Sequence, residues 1–513
     1  MNGPAPRGVP APALLRVLDR IERLGNRLPD PITLFAIACV LVIVGSDLAH
    51  RAGVAVTHPG TGERIVAVSL LSRDGVRRML TEMVHNFAAF PPLGTVLVVM
   101  IGIGVAERSG LIAAALRRLV ARVPASALPA VLVFAGVNSS LAVDAGYVVL
   151  TPLGAALFAS VGRHPLAGLA AAFAGVAGGF SANLAVTAVD PLLGGFTESA
   201  ARLVDAAYRV QPTANYYFMV VSTLLLTVLG ALVTTRIVEP RLGAWAPPDA
   251  PAAGPDGDEP AAGRGLRAAG LVTCVTVALT LAMTVPGGGA LRGPDGSLQP
   301  FFDSIVALLM LWFLAAGIAY GWSEGTVRSD RAVAEMMGAS LATMGPYIVL
   351  AFVAAQFVAY FGWSNLGTIA AVNGAQTLRG LGATGMPLIV GFVVLSATID
   401  LLIGSASAKW AIMAPIFVPM LMLLGYSPET TQAAYRVGDS VSNVITPLMP
   451  YFPVVLAFAR RYDPRAGVGT LMTLMLPYAL TFLIGWTVLL VGWIACGVPF
   501  GPNVPTFYPG GAS

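Results

Sequence analysis

Long apolar segments are the feature that most constrains this chain. A helix that crosses a bilayer needs about 20 mainly apolar residues, and such runs recur from residue 32 to residue 497. Of the 513 residues, 56% are hydrophobic and only 11% are charged, whereas ordinary soluble domains carry about 25% charged residues. A soluble fold of this size could not bury so much apolar surface. The sequence therefore predicts an all-α integral membrane protein that crosses the bilayer several times.

Several of the apolar segments are too short for a full crossing or are interrupted by Gly, Ser and Pro. After a first span at 32–44 and its flanks, the approximate segments are 90–106, 125–140, 145–160, 166–190, 215–235, 268–286, 303–322, 337–360, 386–404, 410–425, 429–447, 449–459 and 470–497. Non-helical backbone at membrane depth is tolerated only when it is buried in protein or lines a cavity. The interrupted segments therefore predict re-entrant hairpins or broken helices.

Arginines mark the loops that are expected in the cytoplasm. They cluster near residues 108–122, 236–267, 328–331 and 460–465. Because cytoplasmic loops carry an excess of basic residues, these loops and the N-terminus are predicted to be cytoplasmic. The tail after residue 497 carries no charged side chain and is predicted outside, so the number of full crossings should be odd. The basic segment 51–78 fits this topology less well, since it is expected outside.

Composition also divides the chain into segments. A Pro/Ala/Gly/Asp-rich stretch at 244–265 has the composition of a flexible linker, and it separates two hydrophobic parts of similar size. The predicted segments are a cytoplasmic amphipathic N-terminal segment (1–30), a first membrane repeat with hairpin 1 (31–240), a cytoplasmic linker (241–267), a second membrane repeat with hairpin 2 (268–498) and an extracytoplasmic tail (499–513).

The two hydrophobic parts show a weak internal repeat. With an offset of 263 residues, identical residues pair as Pro152 with Pro415, Gly162 with Gly425, Pro165 with Pro428, and Gly175 with Gly438. Coincidence is the alternative, because the identities are few and the sequence is of low complexity. Paired broken segments in two related halves are typical of secondary transporters, whose binding site lies at the repeat interface. The pattern therefore favours an ion-coupled transporter.

Polar and charged residues gather in the two broken regions. A charged side chain in mid-membrane costs about 2.5–3.5 kcal/mol on insertion scales, so such residues pair or line a wet cavity. The first region has Asn138, Ser139, Ser140, Asp144, Ser181, Asn183, Thr187 and Asp190, and the second has Asp400, Ser405, Ser407, Lys409, Arg436, Asp439, Ser440, Ser442, Asn443 and Thr446.

The GSASAKW segment contains Lys409, the single lysine among 30 basic residues. Small residues let the backbone turn tightly and offer N–H and C=O groups to a ligand. Their alternative role is to allow close helix packing. Lys409 itself either contacts a substrate or pins the hairpin, and Trp410 is either an interfacial aromatic residue or a substrate contact.

The YRVGDSVSNVITPLMPYFP segment places Arg436 and Asp439 three residues apart, about one helical turn. These two side chains could form an internal salt bridge. Alternatively, carbonyls freed by Gly438 and by prolines such as Pro447 could join Asp439 in binding a small cation, or the carboxylate could relay a proton. The first region has a similar pattern, with a polar Ser-x-Asn step followed by Asp190 directly before a helix-breaking proline.

Other classes of function lack support in the sequence. The three cysteines lie far apart, the four histidines are scattered, and no zinc spacing or hydrolase, protease or nucleotide-binding motif occurs. A net charge of +4 on this length does not indicate nucleic acid. We expect no enzyme activity, no cofactor and no metal beyond a possible sodium ion.

Four segments carry a resemblance to a known family: LDRIERLGNRLPDPITLF, VDPLLGGF, SASAKWAIMAPIFVPM and YRVGDSVSNVITPLMPYFP. Together they resemble the p-aminobenzoyl-glutamate transporter (AbgT) family over nearly the whole chain. The resemblance implies a homodimer, with about nine transmembrane helices and two re-entrant hairpins per subunit in an inverted-repeat, elevator-type architecture. It also implies transport of p-aminobenzoyl-glutamate or of sulfonamide antimetabolites, driven by protons or sodium. The family positions tied to transport correspond to Asp190, Ser407, Trp410, Pro428, Arg436, Asp439 and Pro447.

These observations combine into one hypothesis, a secondary transporter of the bacterial inner membrane surrounded by lipid. The coupling ion would be bound or relayed by Asn183, Asp190, Asp400, Asp439 and Asn443. An anionic aromatic substrate would be held by Ser405, Ser407, Lys409, Trp410 and Arg436. Asp400 departs from similar proteins, which carry Asn there, and this leaves the ion open. The alternatives are a passive channel or a non-transporting scaffold, with an intramembrane enzyme as a weaker third.

Overall fold

The computed structural model describes residues 31–57, 62–120, 123–141, 146–245, 263–446, 449 and 451–508. The predicted N-terminal segment 1–30 and most of the linker lie outside the described residues. The described chain is helical apart from short irregular links and one small antiparallel hairpin. In that hairpin, β1 (Ala55–Thr57) pairs with β2 (Arg64–Val66).

Ten α-helices form the first part of the described chain. They are α1 (Pro31–Arg51), α2 (Arg73–Ala88), α3 (Pro91–Arg108), α4 (Leu111–Val120), α5 (Leu128–Asn138), α6 (Thr151–Ser160), α7 (Pro165–Phe173), α8 (Val189–Ala201), α9 (Tyr216–Val233) and α10 (Glu239–Leu242). Short π-helical turns extend three of them: Gly146–Leu150 precedes α6, Ala174–Gly178 continues α7, and Thr234–Val238 joins α9 to α10.

Eleven further helices follow the linker. They are α11 (Gly263–Thr284), α12 (Gln299–Asp303), α13 (Ile305–Glu324), α14 (Asp330–Thr343), α15 (Gly345–Trp363), α16 (Leu366–Gly380), α17 (Gly385–Asp400), α18 (Ala406–Leu423), α19 (Pro428–Ser442), α20 (Phe452–Tyr462) and α21 (Val468–Ala495).

Within the described residues, eight helical stretches are long and apolar enough to cross a membrane. They are Ile32–Arg51, Arg73–Arg108, Tyr216–Leu242, Gly263–Thr284, Ile305–Glu324, Gly345–Trp363, Ala406–Leu423 and Val468–Ala495. Shorter apolar helices lie between them, among them Leu128–Asn138 and Gly385–Asp400. The prediction of an all-α chain with several membrane spans is therefore confirmed.

Two helices are broken in the middle. The first break lies in a region that the sequence predicted to be broken: within segment 166–190 the helix stops at Gly178 and resumes at Val189. The second break separates α19, which ends at Ser442, from α20, which begins at Phe452. The helices before the breaks begin at Pro165 and Pro428, and those after them at Val189 and Phe452, so both pairs follow the 263-residue offset of the sequence repeat. The two halves thus share an order of elements around the break.

Glycines at one repeated position let the helices before the breaks pack closely. In the first half, a Cβ added at Gly175 would lie 3.0 Å from the Cα of Gly136 on α5. In the second half, a Cβ added at Gly438 would lie 2.6 Å from the Cβ of Ser396 on α17. Helices in a membrane associate through close backbone packing, which small residues allow. The paired glycines of the sequence repeat therefore have the same packing role in both halves.

We expect Gly438→Ala to lower the thermal midpoint of the purified protein. The added methyl group would overlap α17, and overpacking costs about 1–3 kcal/mol. Gly391→Ala is the matched control, because it also lies within a helix and its Cβ would meet nothing within 4 Å. Replacing glycine by alanine there should leave stability unchanged or raise it by up to about 1 kcal/mol. Equal midpoints for the two variants would contradict the packing role.

Candidate functional site

Four helices bring the charged residues of the two broken regions together. Helix α17 ends at Asp400, and a short turn leads into α18, where Ser405 caps the helix by accepting a hydrogen bond from the Ala408 amide at 3.4 Å. This cap places Lys409 in the first turn of α18. Helix α19 packs against α8, α17 and α18 and contributes Arg436 and Asp439. The charged groups lie where these four helices meet.

Lys409 lies between two carboxylates. Its Nζ pairs with Asp400 Oδ1 and, at 2.6 Å, with Asp439 Oδ1. All three side chains are fully buried. The Tyr435 hydroxyl also lies 2.9 Å from Asp439 Oδ1 and can donate to it. Since α17, α18 and α19 each supply one charged member, this cluster joins α17 and α18 to α19, the first part of the second broken helix.

Arg436 pairs with the other half of the chain. Its guanidinium Nη1 lies 2.7 Å from Asp190 Oδ1, and both side chains are buried. Asp190 Oδ2 accepts hydrogen bonds from the Thr187 amide at 2.6 Å and from the Thr187 hydroxyl at 2.9 Å. The sequence allowed an internal Arg436–Asp439 bridge, but each of these side chains instead pairs with a residue on another helix. The Arg436–Asp190 pair therefore links the two broken helices.

The five buried charged groups do not balance. Two cations, Lys409 and Arg436, face three carboxylates, Asp190, Asp400 and Asp439. With every group ionised, the site would carry one uncompensated negative charge. Leaving a charge unpaired in a protein interior is costly. The arrangement is therefore suited to taking up one further cation or proton.

Trp410 is completely buried in this conformation. Its indole N–H donates to the Thr197 hydroxyl at 2.9 Å, and its ring stacks on Tyr435 with centroids 4.4 Å apart. Thr197 donates in turn to Gln432, which donates to Asn215 at 2.9 Å. Trp410 is thus held by both broken helices, and its contact with substrate stays a prediction.

The remaining candidate residues lie around the breaks. The Ser405 and Ser407 hydroxyls are 3.4 Å apart at the start of α18. The Asn183 amide donates to the Ser140 hydroxyl at 2.6 Å, which ties the first break to the end of α5. Asn443 is buried directly after α19, and Pro428 is the first residue of that helix. Pro447 lies outside the described residues, as does Asp144.

Sequence reasoning missed the polar residues that support the site. Thr197, Gln432 and Tyr435 contact Trp410 or its partners. None of them is charged, and none was among the predicted site residues, although Tyr435 begins the YRVGDS motif. A signal was present. Gln432, Arg436 and Asp439 recur every three or four residues along α19, which places them on one face, and Thr197 lies two turns after Asp190 on α8.

The described residues contain no group of three or more His, Cys, Asp or Glu side chains arranged to hold a metal ion. A cavity of about 520 Å³ lies between α16 and the α17–α18 pair, and one of about 270 Å³ lies between α11 and α13. No charged side chain lines either cavity. The charged site is therefore closed in this conformation and separate from both cavities.

Known proteins resemble this chain over nearly its full length. The model of the "AbgT putative transporter family" matches residues 16–508. The p-aminobenzoyl-glutamate transport protein of Escherichia coli (strain K12) is 38% identical over 493 residues, which cover 94% of this chain and 96% of that protein.

Two solved structures share the fold. The Alcanivorax borkumensis YdaH transporter has a TM-score of 0.87 and 48% identity, covering 92% of this chain and 100% of that one. Neisseria gonorrhoeae MtrF, described as illuminating a class of antimetabolite efflux pumps, has a TM-score of 0.90 and 46% identity, covering 96% and 100%.

We expect Thr197→Val to lower the thermal midpoint. The change keeps the side-chain shape but removes the donor to the buried Gln432 and one of the two acceptors of the Trp410 N–H, the other being the Leu193 carbonyl, and an unsatisfied buried polar group costs about 1–3 kcal/mol. Thr227→Val is the matched control, because the Thr227 hydroxyl donates only to the Thr223 carbonyl of its own helix. Equal thermal midpoints for the two variants would show that the hydrogen bonds around Trp410 contribute no more to stability than the bond made by Thr227.

Proposed function

The chain belongs to the AbgT family, and from that membership we propose that it is a secondary active transporter for p-aminobenzoyl-glutamate or related anionic aromatic folate catabolites and sulfonamide antimetabolites, coupled to protons or sodium. The substrate class is supported by the Escherichia coli relative, a p-aminobenzoyl-glutamate transport protein, and by MtrF, from a class of antimetabolite efflux pumps. Both relatives are transport proteins and not enzymes.

The observation that carries the proposal is the set of buried ion pairs where helices of the two halves meet. Arg436 is paired with Asp190, and Lys409 with Asp400 and Asp439. A substrate carboxylate can pair with Arg436 at a lower cost once a cation or proton has neutralised the excess negative charge of the five groups. Guanidinium binds carboxylates through paired hydrogen bonds. Binding of the driving cation and binding of the anionic substrate would in this way favour each other.

Trp410 would supply the contact for the aromatic ring of the substrate. An indole face stacks readily on an aminobenzoyl ring. In the described conformation that face is covered by Tyr435, and the indole N–H is bonded to Thr197 on α8. Separation of α18 from Tyr435 on α19 would expose this face near Ser405 and Ser407, and release of the Thr197 bond would free the indole N–H.

The proposal includes an architecture that the helix pattern supports. Each subunit of a homodimer would have about nine transmembrane helices and two re-entrant hairpins in an inverted repeat, moving as an elevator. The pairs α5–α6 and α17–α18 precede the two broken helices in the same order, as hairpins 1 and 2 should. The protein would lie in the bacterial inner membrane with its N-terminus in the cytoplasm, as the basic loops indicate.

Transport by purified protein in liposomes tests the proposal. We expect counterflow of labelled p-aminobenzoyl-glutamate, and accumulation against its gradient when a pH gradient or a sodium gradient is imposed separately. A parallel assay with a labelled sulfonamide tests the second substrate class. A passive channel would equilibrate the label without accumulating it, and a scaffold would show neither activity. Counterflow without accumulation under either gradient would contradict secondary active transport.

We expect Asp439→Ala to reduce ion-driven accumulation by about tenfold or more, because it removes one partner of a fully buried ion pair. The control is Asp330→Ala, which changes an exposed aspartate in the first turn of α14. Accumulation by the control should match that of the unmodified protein. Full ion-dependent accumulation by Asp439→Ala would remove Asp439 from the proposed site.

A further inference from the structure

On the basis of the proposed function, we propose that the Asp400–Lys409–Asp439 cluster is a proton site from which sodium is excluded, because the Lys409 ammonium occupies the position that a sodium ion would take between the two carboxylates. One proton would bind to a carboxylate oxygen of the cluster in each transport cycle. This assigns Lys409 a role in selecting the coupling ion, whereas the sequence left it as either a substrate contact or a structural residue.

The geometry of the ammonium is the first part of the argument. Lys409 Nζ contacts Asp400 Oδ1 of α17 and Asp439 Oδ1 of α19, two helices that also pack against each other. Two facing carboxylates with no cation between them would form an oxygen-lined site of the kind that hard cations prefer. Here that position is filled by a charged group of the protein itself. A sodium ion at the same carboxylates would meet the ammonium at short range and be repelled.

The free carboxylate oxygens are the second part. Asp400 Oδ2 and Asp439 Oδ2 are buried and have no hydrogen-bond partner among the described residues. A proton needs only one such oxygen, on which it forms a covalent O–H bond. A sodium ion would need several oxygen ligands at once. Each free carboxylate oxygen can accept a proton, whereas a sodium ion bound by the same carboxylates would lie beside the Lys409 ammonium.

Charge balance is the third part. With every group ionised, two carboxylates and one ammonium leave one negative charge in a fully buried position. A proton that arrives from one aqueous side and binds Asp400 or Asp439 makes the cluster neutral, while Lys409 stays paired with the other carboxylate. Release of that proton to the opposite side restores the negative charge. One proton is thus bound and one released for each cycle.

The groups around the cluster do not supply the missing positive charge. From α19, the Tyr435 hydroxyl is neutral and lies 2.9 Å from Asp439 Oδ1 and 2.5 Å from the Ala406 carbonyl, so it can donate its one proton to either. Arg436 is already paired with Asp190 of α8. From α21, Tyr478 is the only titratable side chain, and its hydroxyl bonds to Thr234.

The more distant acids and bases of the neighbouring helices are also engaged elsewhere. Glu198 of α8 pairs with Arg202. Glu429 at the start of α19 accepts from Tyr208 at 2.8 Å. Arg379 of α16 donates to the Leu423 carbonyl. The uncompensated charge therefore remains with Asp400, Lys409 and Asp439.

The first test measures the thermal midpoint of the purified full-length protein in sodium chloride and in choline chloride at equal ionic strength. We expect the unmodified protein and Lys409→Arg, which keeps the charge, to be insensitive to sodium. Lys409→Gln should become sensitive, with sodium raising its midpoint by about 2 °C or more, because the two carboxylates then face each other without a cation. The double variant Lys409→Gln/Asp400→Asn should lose that sensitivity.

The second test uses pH and does not depend on whether Lys409→Gln folds. A folded state that binds a proton more tightly than the unfolded chain gains stability as pH falls. We expect the midpoint of the unmodified protein to rise relative to that of Asp400→Asn between about pH 8 and about pH 6, since the variant has one carboxylate for one ammonium. Parallel pH profiles would overturn the proposal.

Sodium stabilisation of the unmodified protein, or accumulation driven by a sodium gradient at fixed pH, would also overturn the proposal. Neither result would affect the substrate assignment. Absence of p-aminobenzoyl-glutamate counterflow would instead contradict the proposed function, while the midpoint measurements, which need no substrate, would still decide the nature of the ion site.

Discussion

Pairing of charges in a low-dielectric interior is the constraint on which the rest of this structure depends. An ionised side chain deep in a membrane protein must meet an opposite charge at hydrogen-bond distance, or the protein bears a large desolvation cost. Lys409, Arg436 and their three carboxylates come from four helices, α8, α17, α18 and α19. Each ion pair therefore also constrains the relative positions of the helices that supply its two members. The Arg436–Asp190 pair fixes the second broken helix against the first.

Close backbone packing makes those placements possible. Gly175 and Gly438 hold equivalent positions in the two halves, and each brings a neighbouring helix to a distance that a Cβ would not permit. In the second half, this contact sets α17 on α19 and so brings Asp400 near Asp439. Both halves thus share the glycine packing contact, whereas only the second half has the Asp400–Lys409–Asp439 cluster. The first half has Asn183 and Ser140 near its break, where the second has an ion cluster.

Buried salt bridges contribute little net stability in comparison with apolar packing, yet this chain keeps five charged groups where helices meet. Under the proposed function, these groups would change partners when a proton or an anionic substrate arrives, and each change would alter which helices are held together. Trp410 belongs to the same system, because its hydrogen bond to Thr197 and its stacking on Tyr435 tie α18 to both broken helices.

The sequence by itself determined that this protein lies in a membrane, that it is helical, and that its polar and charged residues concentrate in two regions. Hydrophobicity and the placement of Gly, Pro and charged residues are local properties, and they indicated the helix break after Asp439 and singled out Lys409 as a candidate site residue. The sequence did not determine which charges pair. Arg436 and Asp439 are one turn apart and could have bonded to each other, but Arg436 bonds to Asp190, 246 residues earlier in the chain. The polar Ser-x-Asn step indicated a break within 166–190 but not the partners of its backbone, since the amides of Ser181 and Leu184 donate to Ser440 and Asn138. Only the tertiary structure decided these partners, because a buried polar group is satisfied by whatever folding brings within about 3 Å of it.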